Sequence, residues 1–498
     1  MDLQETIAKY ETIRKQIKAY EYVMGLVGWD SATEAPEKCF EKRGEYSAIV
    51  SEDLYKIQTG DEFKGLIEEL HTHLDELNPI LAHEIKEVKR NIDKQSKIPM
   101  EEYVAYSALM ASSEQVWAKA KKENDFKQFA PLLEKIVDFQ KKYVKWQETD
   151  ELKGYDILLD EFEHGFTTKE YDAFFDLLKK ELVPFVKQIT SAVYPGKEDY
   201  SKLVVSSDKQ KVVAKEIEEM LCFDTSRGLS KESMHPFTGG SGTYDVRYTN
   251  HFYEDNFISS IYSAVHELGH ATYEQQCDPE LDDTFVGGGA SMALHESQSR
   301  FYENIVGRSE EFVSLLLPKI NETFGMELDA KELFYYVNKV ENSLIRTEAD
   351  ELTYPLHIML RYDLERALLN EEITVEQLPQ EWNRRFKEYF GIDVPSDAEG
   401  VLQDVHWSGG SFGYFPTYAL GSAYAAQIYY AMSEEMNVEE SIKSGSTKEI
   451  NEWLKEHIHK YSAAKYPKDI LLLATGEEFD AHYYVNYLKE KYSKIYNI

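Results

Sequence analysis

His266, Glu267 and His270 stand in the run HELGH, inside the apolar stretch NFISSIYSAVHELGHATYEQQ. On a helix, positions i and i+4 lie one above the other, so the two imidazoles can reach one ion. Glu267 is rotated one step round, beside that ion but not ligating it, where a base for an activated water is needed. The chemistry this pattern predicts is metal-assisted hydrolysis. Two histidines on the polar edge of a buried helix, or a metal that only braces the fold, are the bland alternatives. Neither has a use for a glutamate between the histidines.

A catalytic zinc site needs a third protein ligand and an open position. Glu274 lies i+4 from His270 but two turns from His266, roughly 11–12 Å along the axis. Ligand atoms about 2.1 Å from one ion are no more than about 4 Å apart, so Glu274 is set aside. Glu296, in GGGASMALHESQSR, is the expected third ligand. Gly287, Gly288 and Gly289 make a turn there, and Ser291 can cap a new helix. His295 is expected to face another way, and Asp282 and Asp283 to serve as loop or cap residues.

The elements that must position these groups are helices. The chain has 498 residues, of which only 26 are Gly and 14 Pro, and it is rich in helix-forming Glu and Lys. Spacings of three or four mark amphipathic helices over 1–29, almost continuously over 61–149, and over 168–192, 257–277, 291–306, 329–370 and 417–435. Period-two alternation in TYDVRYT predicts a strand pair or hairpin near the metal helix. The run ILLLA at 470–474 reads as a buried strand or helix segment. With no repeat or flexible linker, residues 1–498 read as one unit, with about 1–225 forming walls and 226–498 carrying strands and site.

The balance of 55 Lys and Arg against 90 Asp and Glu gives a net charge of −35, which excludes nonspecific nucleic-acid or anionic-membrane binding. Three scattered cysteines, Cys39, Cys222 and Cys277, make no disulfide framework. The acidic N-terminus lacks a secretory pattern and no apolar run reaches bilayer length, so a cytoplasmic location is expected.

Seven blocks in order carry a resemblance across almost the whole chain: WDSATEAP (29–36), GYDILLDEFEHG (154–165), HPF (235–237), DVRYT (245–249), HELGH with HESQS (295–299), IRTEAD (345–350) and GVLQDVHW (400–407). Together they resemble the Taq-type metallocarboxypeptidases. The resemblance implies a mostly α fold, two subdomains flanking a deep substrate groove, with a small β-sheet near the active site. It implies a homodimer, one Zn²⁺ per subunit with Co²⁺ able to substitute, and broad release of C-terminal amino acids from peptides. Similarity to the converting-enzyme arrangement further suggests His406 and Tyr414 as donors to the oxyanion, with Tyr418 in reserve.

The other blocks have their own physical readings. Helical spacing in IRTEAD puts Arg346 and Asp350 on one face, either as a plain ion pair or with Asp350 aiming Arg346 at a substrate carboxylate. Arg247 is the competing anchor on a strand whose edge could pair with an extended peptide, or else a plain partner of Asp245. Asp404 is expected to orient a histidine, and His235 either shapes the site or sits satisfied in the interior. The rival readings are a thimet-like oligoendopeptidase and, in another class, a metal-braced helical peptide-binding protein.

Overall fold

The computed structural model describes residues 2–498. The first half is built from α1 (Leu3–Thr33), α2 (Phe40–Thr59), α3 (Asp61–His71), α4 (Pro79–Ser96), α5 (Met100–Glu123), α6 (Phe126–Gln147), α7 (Asp156–Asp160), α8 (Thr168–Ser191) and α9 (Ser207–Met220). Strands β1 (Gly228–Glu232), β2 (Thr238–Gly240) and β3 (Val246–Asn250) follow. Then come α10 (Phe257–Gln276), α11 (Met292–Arg300), α12 (Glu310–Phe324), α13 (Ala330–Val337), α14 (Tyr354–Leu369), α15 (Leu378–Phe390) and α16 (Phe415–Glu435). The chain closes with α17 (Val438–Lys443), α18 (Lys448–His457), α19 (Pro467–Thr475) and α20 (His482–Tyr496). The architecture is mostly α with one small sheet, as expected.

Helix ends follow local chemistry. Thr167 and Glu170 form a reciprocal capping box at the start of α8. Asn78, Asp125, Asn256, Ser291 and Ser309 cap their helices through side-chain oxygens. The expected first helix runs on to Thr33, and ILLLA lies in α19.

Two expectations need correction. The sheet is three-stranded in the order β1-β3-β2, with β1 parallel and β2 antiparallel to β3. The strand bearing Arg247 is therefore central and already paired on both sides. The edge next to the metal helix belongs to β2, where the Thr238 hydroxyl meets the Glu267 carbonyl at 3.0 Å. The helical periodicity over 329–370 is also broken: 338–353 is irregular apart from a 3₁₀ turn at Arg346–Glu348.

Buried apolar residues form one large cluster, running from Ala120 to Tyr496, and a small one from Tyr10 to Ile85. The latter holds α1, α3 and α4 together, with Phe285 packed against it. Helix α1 also crosses the sheet, where Trp29 meets Phe237 edge-on at 5.6 Å between centroids and lies under the Arg247 guanidinium. From the other side, α5 holds the 402–410 segment: Trp117 Nε1 donates to the Leu402 carbonyl at 3.0 Å and Lys121 to that of Gln403 at 2.8 Å.

Candidate metal centre and active site

Helix α10 presents His266 and His270 one turn apart, with ring centroids 5.0 Å from each other. Helix α11 starts after the glycine turn, where the Ser291 hydroxyl takes the Leu294 N–H and the buried Glu163 takes that of Ala293. Glu296 then projects back, its Oε2 lying 3.7 Å from His266 Nε2 and 3.6 Å from His270 Nε2. One ligand atom from each of the three falls within 4.8 Å of the others. Donors 2.1 Å from an ion at tetrahedral angles would be about 3.4 Å apart, so the set needs little adjustment. Two imidazole nitrogens and one carboxylate oxygen are a donor set that suits a catalytic zinc and leaves a fourth position open.

Two glycines let the helices meet this closely. A Cβ on Gly269 would lie 2.7 Å from Ser299 Cα, and one on Gly421 would lie 2.7 Å from Glu296 Cβ. Backbone contact of α10 and α16 with α11 therefore sets the depth of Glu296. The Arg300 guanidinium fixes its orientation, Nε donating to Glu296 Oε1 at 2.7 Å and leaving Oε2 turned toward the histidines.

Partners behind the histidines set their tautomers. His266 Nδ1 lies 2.9 Å from Glu303 Oε2, on a π-helical turn (Phe301–Gly307) that follows α11. His270 Nδ1 lies 2.6 Å from His295 Nδ1, and His295 Nε2 lies 2.7 Å from Glu274 Oε1. If His295 donates from Nε2 to Glu274, its Nδ1 accepts the His270 proton. Both metal-facing Nε2 atoms then keep their lone pairs. Glu274 thus lies outside the cluster of His266, His270 and Glu296, and His295 turns to the side of His270 opposite Glu296. The relay they form escaped the sequence reading. Burial pushes His270 well below the ordinary range, with the neighbouring His295 and His266 adding to it. Burial also opposes a charge on His266, but Glu296 and Glu303 outweigh it and raise that group.

Glu267 is 7% exposed, and its Oε2 accepts from the Thr238 hydroxyl at 2.6 Å. Burial raises its pKa, with His266 and the Thr238 bond opposing. A raised carboxyl suits a group that must take and return a proton. Thr238 is a contact of Glu267 for which the sequence carries no signal.

His406, Tyr414 and Tyr418 come together, with Glu296 close to the two tyrosines. His406 Nε2 lies 3.3 Å from the Tyr418 hydroxyl, while its buried Nδ1 has no hydrogen-bond partner among the described residues. Burial and Arg346 lower His406 to about 4, so the imidazole is neutral at pH 7. Burial raises the Tyr414 hydroxyl, and Glu296 is close enough to push it further the same way.

Arg346 is 7% exposed and does not pair with Asp350. Its Nε and Nη2 each lie 2.9 Å from Asp404 Oδ1, and Nη1 reaches the Tyr354 hydroxyl at 3.2 Å. Arg361, fully buried, takes the other Asp404 oxygen, Nε donating at 2.7 Å. Burial alone would raise Asp404, but Arg361 and Arg346 hold it well below the usual range. Asp404 thus orients two arginines rather than a histidine, which corrects that expectation. Arg247 pairs with Asp245 at 2.6 and 2.9 Å, the plain alternative for that strand. His235 is exposed, so the interior reading of it does not hold.

Asp350 turns the other way because the chain after Arg346 is a 3₁₀ turn and then extended. Its carboxylate accepts the N–H groups of Leu352, Thr353 and Glu341 and the Thr353 hydroxyl. Burial still outweighs these bonds and lifts its pKa from 3.8 to about 6. The folded chain therefore keeps a proton that the unfolded chain loses, and stability falls as pH rises from about 4 to about 6. Asp350→Asn is expected to flatten that slope by up to about one proton. Denaturant midpoints at pH 4, 5 and 6 measure it; parallel wild-type and variant slopes would contradict the raised pKa.

With this geometry in view, the likeness to known proteins is specific. The model of the carboxypeptidase Taq (M32) metallopeptidases matches residues 9–492. Carboxypeptidase 1 of Bacillus subtilis (strain 168) is 38% identical, with all of both chains covered. Thermostable carboxypeptidase 1 of Pyrococcus furiosus is 34% identical over 98% of each chain. Among solved structures, a Pyrococcus furiosus carboxypeptidase superposes with a TM-score of 0.94 at 34% identity, covering 98% of this chain and 99% of that one. Metallocarboxypeptidase 1 of Trypanosoma cruzi gives 0.93 at 31% identity, with coverage of 98% and 99%. The chain is a metallocarboxypeptidase that acts on peptides, and it belongs to the carboxypeptidase Taq (M32) metallopeptidase family.

Proposed function

We propose that this metallocarboxypeptidase is a zinc enzyme of broad specificity in which Glu267 is the general base. The observation that carries the reading is the convergence of His266, His270 and Glu296 with the Glu267 carboxyl one helical step away. A bound divalent ion supplies a water of lowered pKa and a polarised scissile carbonyl. Glu267, aimed by Thr238, takes the proton from the attacking water and later hands it to the leaving amine. Tyr414 and His406 donate to the oxygen on which negative charge develops. Arg346 holds the terminal carboxylate, with Asp404 rather than Asp350 fixing its fork; Tyr418 lines the same pocket, and Arg247 lies against α1 as the rival anchor. A homodimer and activity with Co²⁺ carry over from the family resemblance, and a cytoplasmic location is the expectation from the sequence. No helix among the described residues is long and apolar enough to cross a membrane.

A mixed pool of free-acid and C-terminally amidated peptides, incubated with zinc-loaded protein and followed by mass spectrometry, tests the reading. Free acids are expected to shorten one residue at a time from the C-terminus, whatever that residue is. Internal cuts in amidated peptides would favour the oligoendopeptidase instead. An absence of metal-dependent hydrolysis would leave the peptide-binding protein.

A further inference from the structure

One buried carboxylate lies outside the chemistry above. Glu365, on α14, is 0% exposed and accepts three hydrogen bonds. Its Oε1 takes the Trp407 indole N–H at 2.8 Å, and its Oε2 takes the Gly413 backbone N–H at 2.7 Å and the Tyr155 hydroxyl at 2.6 Å. None of these donors is a cation. Arg361, one turn earlier on the same helix, gives its guanidinium to Asp404.

The placement of the two loop donors gives the group its meaning. Trp407 directly follows His406, and Gly413 directly precedes Tyr414. A single carboxylate therefore clamps the loop at both ends, each time at the residue next to a proposed oxyanion donor. Between the clamped points the chain folds on itself: the Ser411 N–H bonds the His406 carbonyl at 3.0 Å, and Gly410 and Gly413 take φ of +72° and +87°. At Gly413 a Cβ would come within 2.4 Å of the Leu158 carbonyl oxygen, so the loop presses onto α7 there. An apolar side chain at 365 would fill the space without the desolvation cost. It would leave Trp407 and Gly413 as buried donors with no acceptor, and the loop free to shift.

We propose that Glu365 is a positioning residue for hydrolysis, its carboxylate fixing the loop that sets where His406 and Tyr414 meet the developing oxyanion. This rests on the assignment of those two residues as the donors. Removing a single oxyanion donor costs about 10²–10³ in turnover elsewhere, which bounds the effect of misplacing them. The carboxamide of Glu365→Gln keeps the size but turns an N–H group toward one set of donors. Its kcat is expected to fall about 10- to 100-fold, with KM and zinc content within about twofold of wild type. Trp407→Phe cuts one clamp point and is expected to lower kcat about tenfold. Tyr155→Phe removes a donor that is not on the loop. It is expected to lower Tm while kcat stays within about twofold.

Hydrogen exchange gives the second readout, with faster exchange in Glu365→Gln confined to the 406–415 peptide. A Glu365→Gln enzyme with wild-type kcat would overturn the proposal. So would kcat that tracks Tm through all three variants, since that is the behaviour of a purely structural group. If Glu365→Gln does not fold, the contrast between Trp407→Phe and Tyr155→Phe decides. His406→Ala and Tyr414→Phe separate the two levels. If these leave kcat intact, the donor assignment fails and takes the proposal with it; if they lower kcat while Glu365→Gln does not, only the positioning role falls.

Discussion

Glu267→Gln is expected to yield a folded, fully metal-loaded protein whose turnover is reduced about 10²–10⁴-fold, the range that general acid–base catalysis supplies. The substitution is close to isosteric and leaves His266, His270 and Glu296 untouched, so the metal should stay. The amide oxygen can still accept the Thr238 hydroxyl, so the side chain keeps its aim. What is lost is the carboxylate lone pair that the proposed base role requires. Because burial already disfavours charge on Glu267, exchanging the carboxylate for a neutral amide should not destabilise the fold. Metal analysis, circular dichroism and single-turnover kinetics on one free-acid peptide together make the test. A metal-loaded variant with more than about a tenth of wild-type turnover would remove Glu267 from the base role.

How far the sequence discloses this site depends on the range of the interactions. His266, His270 and Glu267 follow from the period of one helix, and Glu296 follows from a glycine turn, a Ser291 cap and a limit on ligand separation. These are local rules with a geometric bound. The groups behind them are not local. Glu303 reaches His266 only because α11 runs into a π-helical turn, and Thr238 reaches Glu267 only because β2 is the sheet edge beside α10. The relay through His295 to Glu274 has a local signal: a carboxylate one turn from His270 that cannot reach the ligand cluster is placed to act behind that histidine, which it does through His295.

The two expectations that fail most clearly share one cause. Spacing along the chain predicts Arg346 and Asp350 as helical neighbours, and Asp404 as the partner of a nearby histidine. In both cases sequence proximity stood in for spatial proximity. The chain leaves helical geometry at Ala349, and Asp404 meets arginines 58 and 43 residues away. Strand β1, sequence GLSKE, carries no alternating apolar pattern, so its parallel pairing with β3 had no local signal.

Arg346→Ala is expected to cripple cleavage of free-acid peptides while sparing far more the slow release of the terminal residue from amidated ones, with metal content unchanged. Two guanidiniums, Arg346 and Arg361, share the single carboxylate of Asp404, so the cluster keeps an uncompensated positive charge in a protein of net charge −35. Arg361 is fully buried, but Arg346 has an Nη1 whose hydrogen-bond partner among the described residues is the neutral Tyr354 hydroxyl. That nitrogen is the one that can take a terminal carboxylate. Losing one partner of a buried, charge-assisted pair typically costs about 2–5 kcal/mol, or roughly 30- to 5,000-fold in kcat/KM. The fold should survive, because Asp404 remains paired with Arg361 and is not left as an isolated buried anion. Arg346→Lys keeps the charge but cannot hold Asp404 and substrate at once through a planar fork, so it should recover only part of the loss. Arg247, the rival anchor, is the control. It is already neutralised by Asp245 in a two-point pair, so Arg247→Ala should not discriminate between free and amidated ends. Equal damage to both substrate types in Arg346→Ala would make Arg346 structural, and a selective loss in Arg247→Ala would move the anchor onto the strand.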